Sequence, residues 1–111
     1  MRRTDERLQD IVDAIVAIDR YATRGQEVFE QDELIQVWIA HHLQIIGEAV
    51  NALPEDLCNR YSEIPWVRIV GFRNIVVPEY FRLDLNVLWA IGQNSLPPLR
   101  EVVNRMLIEL K

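Results

Sequence analysis

Apolar positions recur at helical spacing along most of the chain. From residue 4 onward, Leu8, Ile11, Ile15, Ile18 and Ala22 follow at steps of three and four, and Val12 and Val16 widen the stripe. Thr4 is expected to cap this first helix. Asp5 and Glu6 fall in its first turn, where negative charge complements the helix dipole, and Arg24 followed by Gly25 makes a stop signal. The segment 32–53 carries the strongest pattern. At 100° per residue, Ile35, Trp38, Ile39, Leu43, Ile45, Ile46, Ala49, Val50 and Leu53 cover about half the circumference. Gln36, Gln44, Gly47, Glu48 and Asn51 take the opposite half, and Pro54 ends the helix. So wide an apolar face can serve an internal core and a second subunit at once.

The remainder reads as shorter pieces. Residues 54–61, PEDLCNRY, suggest a helical turn, and Pro65 suits the first position of a new helix. Along that helix Trp66, Ile69, Val70 and Val77 share a stripe. A residue before proline is driven out of the α region, so the helix is expected to end at Val77, ahead of Pro78. Asp84 can cap a further helix from Leu85, with Val87, Leu88 and Ile91 inward. Pro97 and Pro98 then force a kink or a fresh start, and Leu96, Leu99, Val103, Met106 and Leu110 carry the last stripe. No β alternation is sustained. The expected fold class is all-α, an antiparallel helical bundle of four main helices plus a short helix, in one domain over 1–111.

Composition narrows the functional classes. A chain of 111 residues can bury one core of ordinary quality, and 26% charged residues against 50% hydrophobic ones is a globular balance. No apolar run is long enough to span a membrane, and MRRTDERLQD lacks the apolar stretch of a secretory signal, so a cytoplasmic location is expected. A lone cysteine, Cys58, excludes an internal disulfide and a cysteine-rich zinc site. The net charge of −5 argues against a broad nucleic-acid surface, yet Arg68, Arg73 and Arg82 face a single acid, Glu79, between Trp66 and Arg82. That window is locally basic, and its cations are arginines, whose planar forks suit carboxylates and phosphates.

Two features carry candidate chemistry. Arg73 lies on the apolar stripe of its helix, so its charge needs a partner such as Glu48, or an opening onto a cleft. His41 and His42 stand about 100° apart on the second helix. His42 points into the middle of the apolar arc and reads as a hydrogen-bonded core histidine. His41, at the edge of the polar arc, reads as a surface or interface residue. No further ligands sit at metal-binding positions, and no cofactor is expected.

In combination, DERLQDIVDAI, LQIIGEAVNALP, IPWVRIVGFRNIVVPEYFRLDLNVLW and LPPLREVV make the chain resemble the HepT-like family of small HEPN-domain proteins. The resemblance covers nearly the whole chain and implies a HEPN-like bundle. It also implies a toxin of a type VII toxin–antitoxin pair that acts as a metal-independent ribonuclease. Such a toxin forms a homodimer and is silenced when a small nucleotidyltransferase antitoxin adds AMP to a tyrosine. The family motif is an arginine, four to six variable residues, a histidine, one variable residue and a tyrosine. Laid on RNIVVPEY, the arginine is Arg73 with Asn74 beside it, the tyrosine and AMP acceptor is Tyr80, and Glu79 is the variable residue. The histidine position holds Pro78. Proline carries no titratable group and no backbone N–H, whereas a histidine serves as acid and base near neutrality. The expected site is therefore Arg73 and Tyr80 with Asn74 in support, Arg68, Arg73 and Arg82 on RNA phosphates, and His41 as the substitute base. Two readings stay open: a weakened ribonuclease, or an inactive dimeric scaffold that binds RNA or a nucleotidyltransferase.

Overall fold

The computed structural model describes residues 3–75 and 84–110. Every regular element among them is helical, and together they form an all-α bundle of the HEPN-like kind. Helix α1 spans Thr4–Ala22 and buries Leu8, Ile11, Ala14, Ile15, Ala17 and Ile18. Its cap is Arg3 rather than Thr4, which is already helical. The Arg3 backbone N–H donates to Glu6 Oε1 at 3.3 Å, and the Arg3 guanidinium grips Asp5 at 2.7 Å. An acid one turn into the helix thus takes over the role expected of the threonine hydroxyl. Gly25 stops the chain with φ 99°, a left-handed value that glycine adopts without strain.

The pattern gave no warning of α2, Gln26–Gln31, a short helix that buries Phe29. Helix α3 spans Glu33–Asn51 and starts where expected, because Asp32 Oδ1 accepts from the backbone N–H groups of Leu34 and Ile35 at 3.0 and 3.3 Å. Helix α4, Glu55–Asn59, puts Leu57 and Cys58 inside. The helix expected after Pro65 is short. Helix α5, Trp66–Val70, tightens into a 3-10 turn, Gly71–Asn74, that buries Phe72. The expected end at Val77 lies outside the described residues.

Helix α6, Leu85–Ala90, is capped by Asp84, whose carboxylate accepts from the Val87 N–H at 3.2 Å. It continues through a π turn, Ile91–Ser95, into α7, Leu96–Glu109. Pro97 and Pro98 lack the N–H groups that would close α-type bonds to Gln93 and Asn94. Widening the preceding turn lets the helix continue where two prolines would otherwise break it. Two inward assignments fail at these ends. Val87 is 48% exposed because Leu88, one step round the short helix, takes the core position, and Leu110 is 45% exposed beyond the last turn of α7.

Helix α1 packs against α3 on one side and α7 on the other, while α3 also carries α5 and the 3-10 turn. Leu8, Ile11, Leu43, Ile46, Leu99, Val103 and Met106 are essentially inaccessible at this centre. A fully buried side chain of this size contributes about 1.5–3 kcal/mol. A polar tie crosses the α1–α3 seam, from Trp38 Nε1 to the Ala17 carbonyl at 2.8 Å. No helix among the described residues is long and apolar enough to cross a membrane.

Candidate functional site

The arginine of the motif sits on the 3-10 turn, and α3 determines where that turn lies. Gly47, placed on the polar half of α3 by the pattern, is buried. A methyl group on its α carbon would stand 2.6 Å from the Arg73 backbone nitrogen, 3.1 Å from the Val70 carbonyl oxygen and 3.2 Å from Arg73 Cβ. The turn therefore rests directly on the α3 backbone. One helical turn earlier on α3, the Gln44 side-chain amide donates to the Arg73 carbonyl at 3.5 Å. From below, Ile69 and Phe72 anchor the same segment in the core at 1% and 4% exposure. Arg73 itself is half-buried and Asn74 beside it is exposed.

The suggested Arg73–Glu48 ion pair does not form. Ion pairs among the described residues include Arg3–Asp5, Arg100–Asp19 and Arg105–Glu63, all on the surface. Glu48 instead lines a groove of about 510 Å³ between α1 and α3, together with Arg7, Asp10, His41 and Gln44. His41 is exposed there. Its ring stands edge-on to that of His42 at 5.2 Å.

His42 is hydrogen-bonded as expected, but it is half-buried at the edge of the core rather than inside it. Its Nδ1 lies 2.8 Å from the Trp38 carbonyl oxygen and its ring stacks on the Trp38 indole at 4.3 Å. A carbonyl oxygen only accepts, so Nδ1 carries the proton and donates. The two histidines thus divide the work: His42 is committed to α3 and the aromatic seam, and His41 is accessible from a polar groove.

Arg68 is exposed, on the rim of a second groove of about 800 Å³. Trp66, Val70, Leu53 and Cys58 form its apolar part and Asn51, Asn59 and Ser62 contribute polar groups. The Trp66 indole is held by donation to the Tyr61 carbonyl at 3.0 Å. Burial, reinforced by the nearby Asp56 carboxylate, pushes the Cys58 thiol up from its ordinary range, which leaves little thiolate at neutral pH. Tyr80, Arg82, Glu79 and Pro78 lie outside the described residues. Of the expected site, the structure thus gives Arg73 and Asn74 together on one turn, Arg68 on the helix leading into it, and His41 on the neighbouring α3.

Gly47 and Gln44 are the residues that the sequence pattern missed. The available signal was a glycine inside an otherwise strong helix, which commonly marks a close approach of backbones.

Comparison with known proteins bears directly on this arrangement. A family model described as ribonuclease HepT-like matches residues 11–106, a span that contains α3, the 3-10 turn and the whole motif segment. A probable ribonuclease HepT of Thermococcus cleftensis is 33% identical over 94 residues, covering 84% of this chain and 86% of that protein. A proposed RNase of Caldanaerobacter subterraneus subsp. tengcongensis is 31% identical over 90 residues, 81% of this chain and 80% of its own length. A protein of Methanocaldococcus jannaschii, whose name joins a gamma-glutamylcyclotransferase to a proposed RNase, is 29% identical over 104 residues. That match takes in 93% of this chain, which spans 47% of the length of that relative. No solved structure gives a significant match. With a family model matched from α1 to the last turns of α7, and a relative 33% identical over most of both chains, the chain belongs to the HepT-like family.

Proposed function

We propose that this chain is the toxin component of a toxin–antitoxin pair and acts on RNA as a HepT-like ribonuclease whose turnover is reduced by Pro78. The observation that carries this reading is the family match over residues 11–106, a span that includes Arg73 and Tyr80. The relatives named as ribonucleases support it.

In this reading Arg73 holds the phosphate to be cleaved. A guanidinium donates two parallel hydrogen bonds to phosphate oxygens and offsets the negative charge that builds as the 2′-hydroxyl attacks phosphorus. The attacking hydroxyl must lose a proton, and the departing 5′-oxygen must gain one. General acid–base help of this kind is typically worth about 10²–10⁴-fold, and Pro78 supplies none of it. Tyr80 can donate a hydrogen bond, but an ordinary tyrosine, with a pKa near 10, is a poor base at neutral pH. His41, exposed on the neighbouring helix, is the substitute proton carrier. Asn74 supports the phosphate, and Arg68 and Arg82 hold the flanking backbone. The working unit is a homodimer. A nucleotidyltransferase partner silences it by AMP transfer to the Tyr80 hydroxyl, and incubation with that partner and ATP should raise the intact mass by one or more AMP units.

The second reading is a dimeric scaffold that binds RNA or its nucleotidyltransferase without cutting, and Pro78 is the observation that favours it. One assay separates the two. Single-stranded RNA is incubated with the unaltered chain and with Arg73→Ala, His41→Ala and Pro78→His. Cleavage by the unaltered chain that is lost in Arg73→Ala and His41→Ala supports the ribonuclease. Absence of cleavage until Pro78→His restores the histidine supports the scaffold. Vigorous cleavage that survives Arg73→Ala would overturn both.

A further inference from the structure

Resting on the reading of Arg73 as the phosphate-holding group, we infer that Gly47 and Gln44 of α3 are positioning residues for it. The bare α carbon of Gly47 and the Gln44 amide set the direction in which the guanidinium leaves the fold.

The backbone of the 3-10 turn is constrained from two sides. From the core, Phe72 and Ile69 are buried anchors that resist sliding. From α3, Gly47 offers no side chain, so the turn closes onto the helix at the two residues that bracket Phe72. The forbidden methyl would meet Val70 and Arg73 and nothing nearer. Gln44 adds a long contact of 3.5 Å to the Arg73 carbonyl from the adjacent turn of the same helix. With Phe72 held, a group inserted at Gly47 cannot lift the turn as a whole. It must rotate the turn about its anchor, and Arg73 lies at the end that swings. The Arg73 nitrogen and Cβ are both contact points, so the Cα–Cβ bond that aims the side chain is turned directly.

The glycine is not there to favour the helix. In a helix interior glycine is less favourable than alanine by about 0.5–1 kcal/mol, so local propensity alone would select alanine. Nor does a left-handed backbone require it, since the left-handed glycine among the described residues is Gly25. What it provides is proximity, and recognition groups must be held within roughly 0.5 Å and 10–20° of productive geometry. Gly71, in the same turn, makes the contrast: a Cβ there meets nothing within 4 Å.

A double-mutant cycle on RNA binding tests the inference. A fluorescein-labelled single-stranded oligoribonucleotide is titrated by anisotropy at several salt concentrations against the unaltered chain, Arg73→Ala, Gly47→Ala, the double variant and Gly71→Ala. Gln44→Met is added because it keeps the side-chain length and removes the amide, which guards against a Gly47→Ala chain that fails to fold. Arg73→Ala is expected to weaken binding by about tenfold and to lower the salt slope by about one phosphate contact. Gly47→Ala should reproduce most of that loss and the same slope change, Gln44→Met should weaken binding only about two- to threefold, and Gly71→Ala not at all. The decisive result is coupling: adding Gly47→Ala or Gln44→Met to Arg73→Ala should weaken binding no further. A general structural defect would instead leave the salt slope unchanged and add to Arg73→Ala. If Arg73→Ala loses affinity but the α3 variants bind like the unaltered chain, or their losses add, the positioning role is wrong and the phosphate reading stands. If Arg73→Ala itself binds normally, the phosphate reading falls and takes the positioning role with it.

Discussion

The two sides of α3 are built on different principles. Toward α1 the contact is made by side chains. Leu43 and Ile46 meet Leu8, Ile11 and Ile15 in one buried cluster, with Trp38 tied to the Ala17 carbonyl. Toward the 3-10 turn side chains such as Phe72 and Gln44 also take part, but at Gly47 the backbones themselves meet, and a missing side chain is what permits it. Interdigitated side chains can repack when one is exchanged for another of similar volume, so the first seam tolerates conservative change. Two backbones at the separation left by a glycine have no such freedom. The structural seam is therefore the forgiving one, and the seam that carries Arg73 is set to a single atom.

The largest effect should come from emptying the side-chain seam. Leu43→Ala leaves a cavity at a fully buried position and should lower stability by about 2–5 kcal/mol, read by urea denaturation. A loss near zero would mean that the α1–α3 seam is not the centre of the fold. Next comes a paired test of the backbone seam. Gly71→Ala has open space and an ordinary helical backbone, so it should be neutral or stabilise by up to about 1 kcal/mol. Gly47→Ala gains the same helix preference but must displace the Arg73 nitrogen, and should destabilise by about 1–3 kcal/mol. Thermal melts of the two variants side by side give the contrast, and equal melting temperatures would erase it.

The smallest effect concerns Cys58. Its folded-state thiol titrates above its ordinary value of 9.0, chiefly because burial disfavours the thiolate. The native state therefore holds its proton longer than the unfolded chain does. Stability from this group is intact below pH 9 and declines as pH rises through the folded-state value. Cys58→Ser should flatten that alkaline decline, and iodoacetamide should label the folded chain at pH 7 far more slowly than the urea-unfolded chain.

Much of the bundle was legible because repetition carries it. The stripes of α1, α3 and α7 recur over three to five turns, and Asp84 marks a helix start through a chemistry read directly from residue type. Short elements escaped or shifted. A six-residue helix such as α2 completes fewer than two turns, too few for a period to register. The same holds for α6, where one step of rotation separates exposed Val87 from buried Leu88. The two prolines did announce a disturbance, but whether the helix breaks or widens depends on what the neighbouring turns pack against.

The candidate site divides along the same line. Residue types and their order, set beside the family resemblance, suffice to propose Arg73, Asn74 and Tyr80 as a motif with Pro78 at its histidine position, because such a proposal concerns which functional groups the chain owns. The separate fates of His41 and His42 follow from angular position on one helix, which a period can supply. The support beneath Arg73 could be decided only in three dimensions. Gly47 and Arg73 are distant along the chain, and their contact consists of an absent atom against a backbone nitrogen. A hydropathy pattern counts the side chains that are present, and so it assigned this glycine to the polar face. Only when α3 and the 3-10 turn are brought together does the vacancy acquire a shape.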